Sequence, residues 1–513
     1  MMSKKTLFKV VFTRKNAIYP SLFRVKTPSI KLIPMLLRSQ AAFLAALLLL
    51  PTLASCGGES QNPETTTQSG GTSADVTSAA EENSLDVKDL GKKNFNVLIR
   101  TEYTYEFDIA EENGEPVSDA IYRRNQNVSD RYNCTFTWTN ASGDWNNHTQ
   151  FQNLIHSSVM AGDGAYDFVA CDQSYLPTNI MNGDLLDLRS LPYLALDEVW
   201  WTKEGIEALS LNGRCFMAGG DISLSMLEGI FCMYFNKTVA DNFKTPDLYQ
   251  LVRDGKWTHA RMMEVTKGMY SDLNSSDTAD AADRFGITAQ KTRTRPFVVT
   301  YDTPTIGTDD KGRPSLIWYN DHTVEVVDTL VDTLHGNNDV YFGETADSMN
   351  VFTSGNALLY WDVLKSAENL RAMKDDFGII PYPKFDENQE NYLTTSSSIS
   401  MIAIPVSADD PDSSALIIEA LCREAHDLVT PAFYERALKG KYARDENSAE
   451  MIDFIRSTLT FDFGWVNSLV SAVSGAQYQT MITNGDKNFA SYYDANKTAI
   501  NKKLSESFEK YYE

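Results

Sequence analysis

The six histidines, His148, His156, His259, His322, His335 and His426, are where metal chemistry would show first, and none stands at a spacing that ligates a metal. There is no G-x-S-x-G elbow to raise a nucleophilic serine and no glycine-rich loop to cradle a phosphate. The 69 acids leave one hydrolytic reading open. A glycosidase pair is a spatial arrangement of two carboxyls and leaves no motif, so a glycoside hydrolase stands as the minor alternative to a non-enzyme. Polar side chains that could grip a small molecule do recur at the carboxyl ends of two apolar runs. Glu102 and Tyr103 follow Phe95-Asn96-Val97-Leu98-Ile99, and Asp172 and Gln173 follow Phe168-Val169-Ala170-Cys171. In an open α/β sheet those ends face the ligand.

A different chemistry is written at Leu53-Ala54-Ser55-Cys56, behind the apolar run from Ala41 to Leu50. That run has the length of a signal-peptide core and falls short of the roughly 20 residues a bilayer-spanning helix needs. The four residues resemble the lipobox of bacterial lipoproteins, which implies that Cys56 becomes the lipidated first residue of the mature chain. Residues 1–34 carry eight bases and no acid, and Met35-Leu36-Leu37-Arg38 would itself open a compact signal. Translation from Met35 and a long basic leader both fit, and residues 1–55 leave the fold argument as processing sequence.

Nine of the 46 bases and none of the 69 acids precede Cys56, which leaves 37 bases against 69 acids and a balance of −32. A nucleic-acid partner, which demands a basic face, is thereby excluded. Cys134, Cys171, Cys215, Cys232 and Cys422 are odd in number and widely spaced, so they form no disulfide framework and no zinc motif. Buried small apolar residues are the expectation, with one disulfide left open. Neither cofactor nor metal is called for.

Gly57 to Ser84 contains no aromatic and no basic residue, which makes residues 56–92 a lipid-bearing tether that spans roughly 30 Å as a flexible coil. The body beyond it alternates strand and helix. A strand at 95–99 leads to a helix carrying Val117, Ile121, Val128 and Tyr132 on one face, then a strand at 134–138, a helix near 148–160 and a strand at 166–171. A long apolar strand at 229–237 follows, and Thr258 is placed to cap a helix. Asp309-Asp310-Lys311-Gly312 reads as a hairpin turn, further strands run at 357–361 and 377–380, and the C-terminal third is mostly helical. Such alternation predicts open sheets with helices on both faces.

Seven segments then fall in a familiar order: Ala161-Gly162-Asp163-Gly164-Ala165-Tyr166-Asp167, Gly183 to Leu188, Tyr234-Phe235-Asn236-Lys237, Lys256-Trp257-Thr258, Phe352 to Leu358, Phe377 to Pro383 and Ile402-Ala403-Ile404-Pro405. Over roughly residues 93–510 the chain resembles extracellular solute-binding proteins of the carbohydrate-importer type, akin to maltose-binding protein. The resemblance implies a two-lobed, type II periplasmic-binding-protein-like α/β fold, each lobe an open sheet flanked by helices, with the ligand cleft between them. It implies lobe one at 93–224 plus 359–394, lobe two at 237–350 plus 403–513, and crossover strands near 225–236, 350–358 and 394–403. Residues 272–320 match no part of the pattern.

Sugar recognition needs flat apolar surfaces for ring faces and a few carboxylates or amides for hydroxyls. By the resemblance, Trp361 and Asp362 fall where such proteins place cleft residues, and Trp465 matches a stacking aromatic. Asp172, Gln173, Glu102, Tyr103 and the loop residue Trp145 complete the expected ligand-binding set, with Tyr301 and Trp318 as further candidates. Trp257 and the pair Trp200-Trp201 are expected to pack. The function implied is a monomeric, lipid-anchored receptor on the outer face of the cell membrane that hands a small solute, most simply an oligosaccharide, to ABC permease subunits. A ligand-sensing or adhesive surface lipoprotein and a peptide receptor are the alternatives.

Overall fold

A computed structural model describes residues 88–276, 278–439, 446–467 and 475–512. The signal segment, Cys56 and the tether up to residue 87 lie outside the described residues. In chain order the strands are β1 (Lys93–Arg100), β2 (Cys134–Ala141), β3 (Phe168–Asp172), β4 (Phe231–Asn236), β5 (Phe285–Gln290), β6 (Ile306–Thr308), β7 (Pro314–Leu316), β8 (Val340–Gly343), β9 (Ala357–Val363), β10 (Phe377–Ile380) and β11 (Ser400–Ala403).

They form two main sheets. The first has the order β11-β3-β1-β2, with β1 parallel to β2 and β3 and β11 antiparallel to β3. The second has the order β10-β4-β9-β5-β8, with β5 parallel to β8 and β9 and antiparallel pairs at β4. The expected turn at 309–312 closes the separate β6–β7 hairpin.

Period-two alternation divides β1 between the two faces of its sheet. Phe95, Val97 and Ile99 join the cluster built on Leu416, Leu421 and Cys422 of the long helix Pro411–Lys439, whereas Leu98 joins Phe151, Ile155 and Ile180. Helices therefore cover both faces, as the alternating pattern predicts. Thr258 caps the helix His259–Thr266 by accepting from the Arg261 amide. Gly162, at φ +62°, ends the helix His148–Ala161 in the left-handed conformation that glycine adopts without strain and turns the chain toward β3.

The chain passes between the sheets where Ile230 bridges Ser396, an antiparallel crossing closed by hydrogen bonds from the Phe231 amide to Thr395 O and from the Ser397 amide to Gly229 O. Lobe one is thus about residues 88–229 with 397–439, and lobe two about 230–396 with 446–507. This corrects the expected partition. Residues 359–394 belong to lobe two because β9 and β10 flank β4, and β11 with the helix 411–439 belongs to lobe one because it pairs β3 and packs on the helix Pro116–Tyr132. No crossing occurs near 350–358, where the helix Thr345–Thr353 and β9 share lobe two.

The C-terminus returns to lobe one, with Tyr511 edge-on to Phe216 and its carbonyl accepting from Asn212. All five described cysteines are buried and unpaired. Among the described residues no helix is long and apolar enough to cross a membrane.

Candidate functional site

The parallel strands β1 and β3 deliver their carboxyl ends, Arg100 and Asp172, to one edge of the first sheet. Antiparallel β11 enters at that same edge, with Ser400 opposite Asp172. Arg100 donates to Asp172 at 3.1 Å, to Ser398 at 3.3 Å and to Ser400 at 3.1 Å. Asp172 also accepts from Ser398 at 2.6 Å and from the hydroxyl and amide of Ser174. Tyr103 lays its ring 3.8 Å from the Arg100 guanidinium and donates its hydroxyl to Ser398. Burial opposes the charge on Arg100, but Asp172, Tyr103, Cys171 and Glu106 together outweigh it, so its pKa is raised.

Glu106 lies beneath this group, fully buried, accepting from Ser225 and Ser400. Burial pushes its carboxyl up to about 7 against the pull of Arg100.

The second sheet presents a matching edge. Asp362, near the end of β9, accepts from Arg293 Nε at 2.6 Å, from Gln290 Nε2 at 2.9 Å and from the Tyr360 hydroxyl at 2.5 Å. Burial opposes the Arg293 charge too, and Asp362 again reverses the direction. Arg295, two residues on, places its guanidinium 5.4 Å from the Trp465 ring. Burial lowers its pKa, and the charge of Asp172 in lobe one acts against that.

At the crossing, Lys365 of lobe two donates to Glu228 at 2.7 Å and to the Tyr105 hydroxyl of lobe one at 3.1 Å. Tyr105 itself donates to Glu228 at 2.7 Å. With Tyr103, Ser225, Val363 and Ser398 they border a cavity of about 90 Å³. A small-molecule site usually takes about 300–1,000 Å³, so a solute of that size requires the lobes to part.

Several expected residues converge here and others do not. Asp172, Gln173 and Tyr103 gather at the lobe-one edge, and Gln173 keeps a buried Oε1 without a hydrogen-bond partner. Asp362 sits at the lobe-two edge as the counter-ion of Arg293.

Trp361 offers no open stacking face. On a strand paired on both sides by β4 and β5, it is fully buried against Phe297 at 5.1 Å and Tyr382 at 6.1 Å. Trp465 is buried beneath Arg295. The Glu102 carboxylate accepts from Ser142 and the Gly143 amide, which fixes the neighbouring loop instead of turning toward a ligand. Trp145, 72% exposed, tilts against His148, whose ring stacks on Tyr175.

Tyr301 and Trp318 are fully buried, the first bonded to His259 and the second packed on Phe489. Trp257 packs as expected, donating to Pro381 O, and Trp200 and Trp201 both donate to Glu419.

The site residues that sequence reasoning missed are mostly charged: Arg100, Glu106, Glu228, Arg293, Arg295 and Lys365. One signal was available, since an arginine closing a strand as apolar as Val97-Leu98-Ile99 must find an anion at the sheet edge.

No family model matches this chain, and no curated protein does. Solved structures do. A cyclo/maltodextrin-binding protein complexed with maltotetraose is similar at 11% identity and a TM-score of 0.53, over 82% of this chain and 98% of that one. A sugar transporter from Rhizobium etli in an open conformation is similar at 13% identity and a TM-score of 0.52, again over 82% and 98%. At such identities the likeness concerns the fold: the chain has the two-lobed α/β architecture of maltose-binding-type solute-binding proteins.

Proposed function

We propose that this protein is a membrane-anchored extracellular receptor that captures a small solute, an oligosaccharide, and delivers it to an ABC importer. The observation that carries the proposal is the opposition of two sheet edges, Arg100–Asp172 with Tyr103 on one lobe and Arg293–Asp362 with Arg295 on the other, across a crossing as narrow as Ile230–Ser396. Charged and amide groups with aromatic rings suit hydroxyl-rich solutes, and a narrow crossing suits lobes that swing. The two neighbours above, one holding maltotetraose and one named a sugar transporter, support a sugar as solute. Nothing in the reading requires chemistry on the solute.

Calorimetric titration of the mature protein with oligosaccharides, peptides and polyamines tests the solute class. One oligosaccharide series is expected to bind saturably with one site per chain. Binding of peptides alone would transfer the protein to the peptide receptors. The anchor is tested separately at Leu53-Ala54-Ser55-Cys56. Cys56→Ser is expected to release the protein into the medium or leave it unprocessed, whereas normal cleavage with unchanged detergent-requiring membrane association would remove the lipid from the account.

A further inference from the structure

Charges at the join of the lobes come in pairs. Arg100 meets Asp172, Arg293 meets Asp362, and Lys365 meets Glu228, at 3.1, 2.6 and 2.7 Å. Among the described residues Arg295 has no such partner. Its Nε is buried without a hydrogen-bond acceptor, and its guanidinium lies 5.4 Å from the centre of the Trp465 ring. Asp172, on the facing lobe, acts on that charge from a distance, but its two oxygens are already occupied by Arg100, Ser398 and Ser174.

Arg295 is half-buried, and burying its Nε without an acceptor is costly, a loss that a ring face offsets only in part. A guanidinium fork beside an indole is, however, shaped for the two oxygens of a carboxylate. Two further acceptors are also unsatisfied among the described residues. Gln173 Oε1, beside Asp172 in the chain, and Asn467 Oδ1, two residues beyond Trp465, are buried without donors. Hydroxyl groups would supply them.

We propose that the solute carries a carboxylate as well as hydroxyls, and that Arg295 receives it, which makes the receptor selective for acidic oligosaccharides containing a uronic acid. This rests on the solute-receptor reading above.

The test is calorimetry of the mature protein with short oligomers of galacturonic and glucuronic acid, each beside the neutral hexose oligomer of the same linkage and length. Wild type is expected to prefer one acidic series by roughly tenfold or more, the scale of a charge-assisted hydrogen bond. Arg295→Gln is expected to lose that preference while melting no lower than wild type without solute, and Arg295→Lys, which keeps the charge but not the fork, to retain part of it. Acidic and neutral oligomers bound equally by wild type would overturn the inference and leave the receptor reading standing, as would an acidic preference unchanged in Arg295→Gln. Binding of no sugar at all would overturn both. The wild-type comparison decides the matter alone should Arg295→Gln fail to fold.

Discussion

Glu106 shows how much of this site is set below its surface. The carboxyl is fully buried, faces Arg100 and the buried guanidinium of Arg124, and accepts from Ser225 and Ser400. Burial dominates, raising its pKa from 4.5 to about 7. A carboxyl raised in the fold favours the protonated native state, so its contribution is fully present below about pH 4.5 and is lost as pH rises through 7. Replacing it with an uncharged isostere removes that loss. Glu106→Gln is therefore expected to match wild-type stability near pH 4.5 and to exceed it by on the order of 3 kcal/mol near pH 8, measured by denaturant unfolding across that range. A pH-independent difference between the two proteins would refute the linkage.

At this scale the sequence was partly legible. The positions of Asp172 at the end of β3 and Tyr103 just beyond β1 were legible, because a strand's carboxyl end is readable from its pattern. Trp361 was not, because a tryptophan between two paired strands has the same local sequence as one lining a cleft. Which neighbours cover it is decided by β4 and by Phe297, far away in the chain.

Elements were read best where their cause is local. The strand at 95–99, the helix face of Val117, Ile121, Val128 and Tyr132, the Thr258 cap and the 309–312 turn all depend on periodicity or on side chains within a few residues. The partition into lobes depends on which strand pairs with which, and that is not local. Nothing within 357–380 announces that these residues flank β4 instead of β3. The crossing itself carries one local mark, Gly229. A β-carbon there would meet the Ser396 Oγ of the facing segment at 2.5 Å and the Ser225 carbonyl oxygen of its own helical turn at 2.9 Å, so a side chain fits only if both shift. Gly229→Ala is expected to cost about 1–3 kcal/mol by overpacking, read from thermal melts. An unchanged melting temperature would mean that the crossing has room to adjust.

For the whole molecule the question is what the join of the lobes permits. Besides Ile230–Ser396, polar groups bind the lobes together: Lys365 with Glu228 and Tyr105, and Arg456 of lobe two with Asp221 of lobe one, which also accepts from His426. Apolar packing also runs from one lobe into the other, so the proposed capture requires these contacts to break and re-form, and a solute touching both lobes would favour the closed state by its differential affinity. The cavity of about 90 Å³ at the join is smaller than a small-molecule site, so the proposed capture there would require the lobes to part. Small-angle X-ray scattering on the mature protein, with and without a saturating oligosaccharide found by titration, tests this most directly. Capture between the lobes predicts a radius of gyration that falls on binding, from a more open population toward a single compact one. Saturable binding with an unchanged scattering profile would contradict it, and would place the solute on one lobe alone.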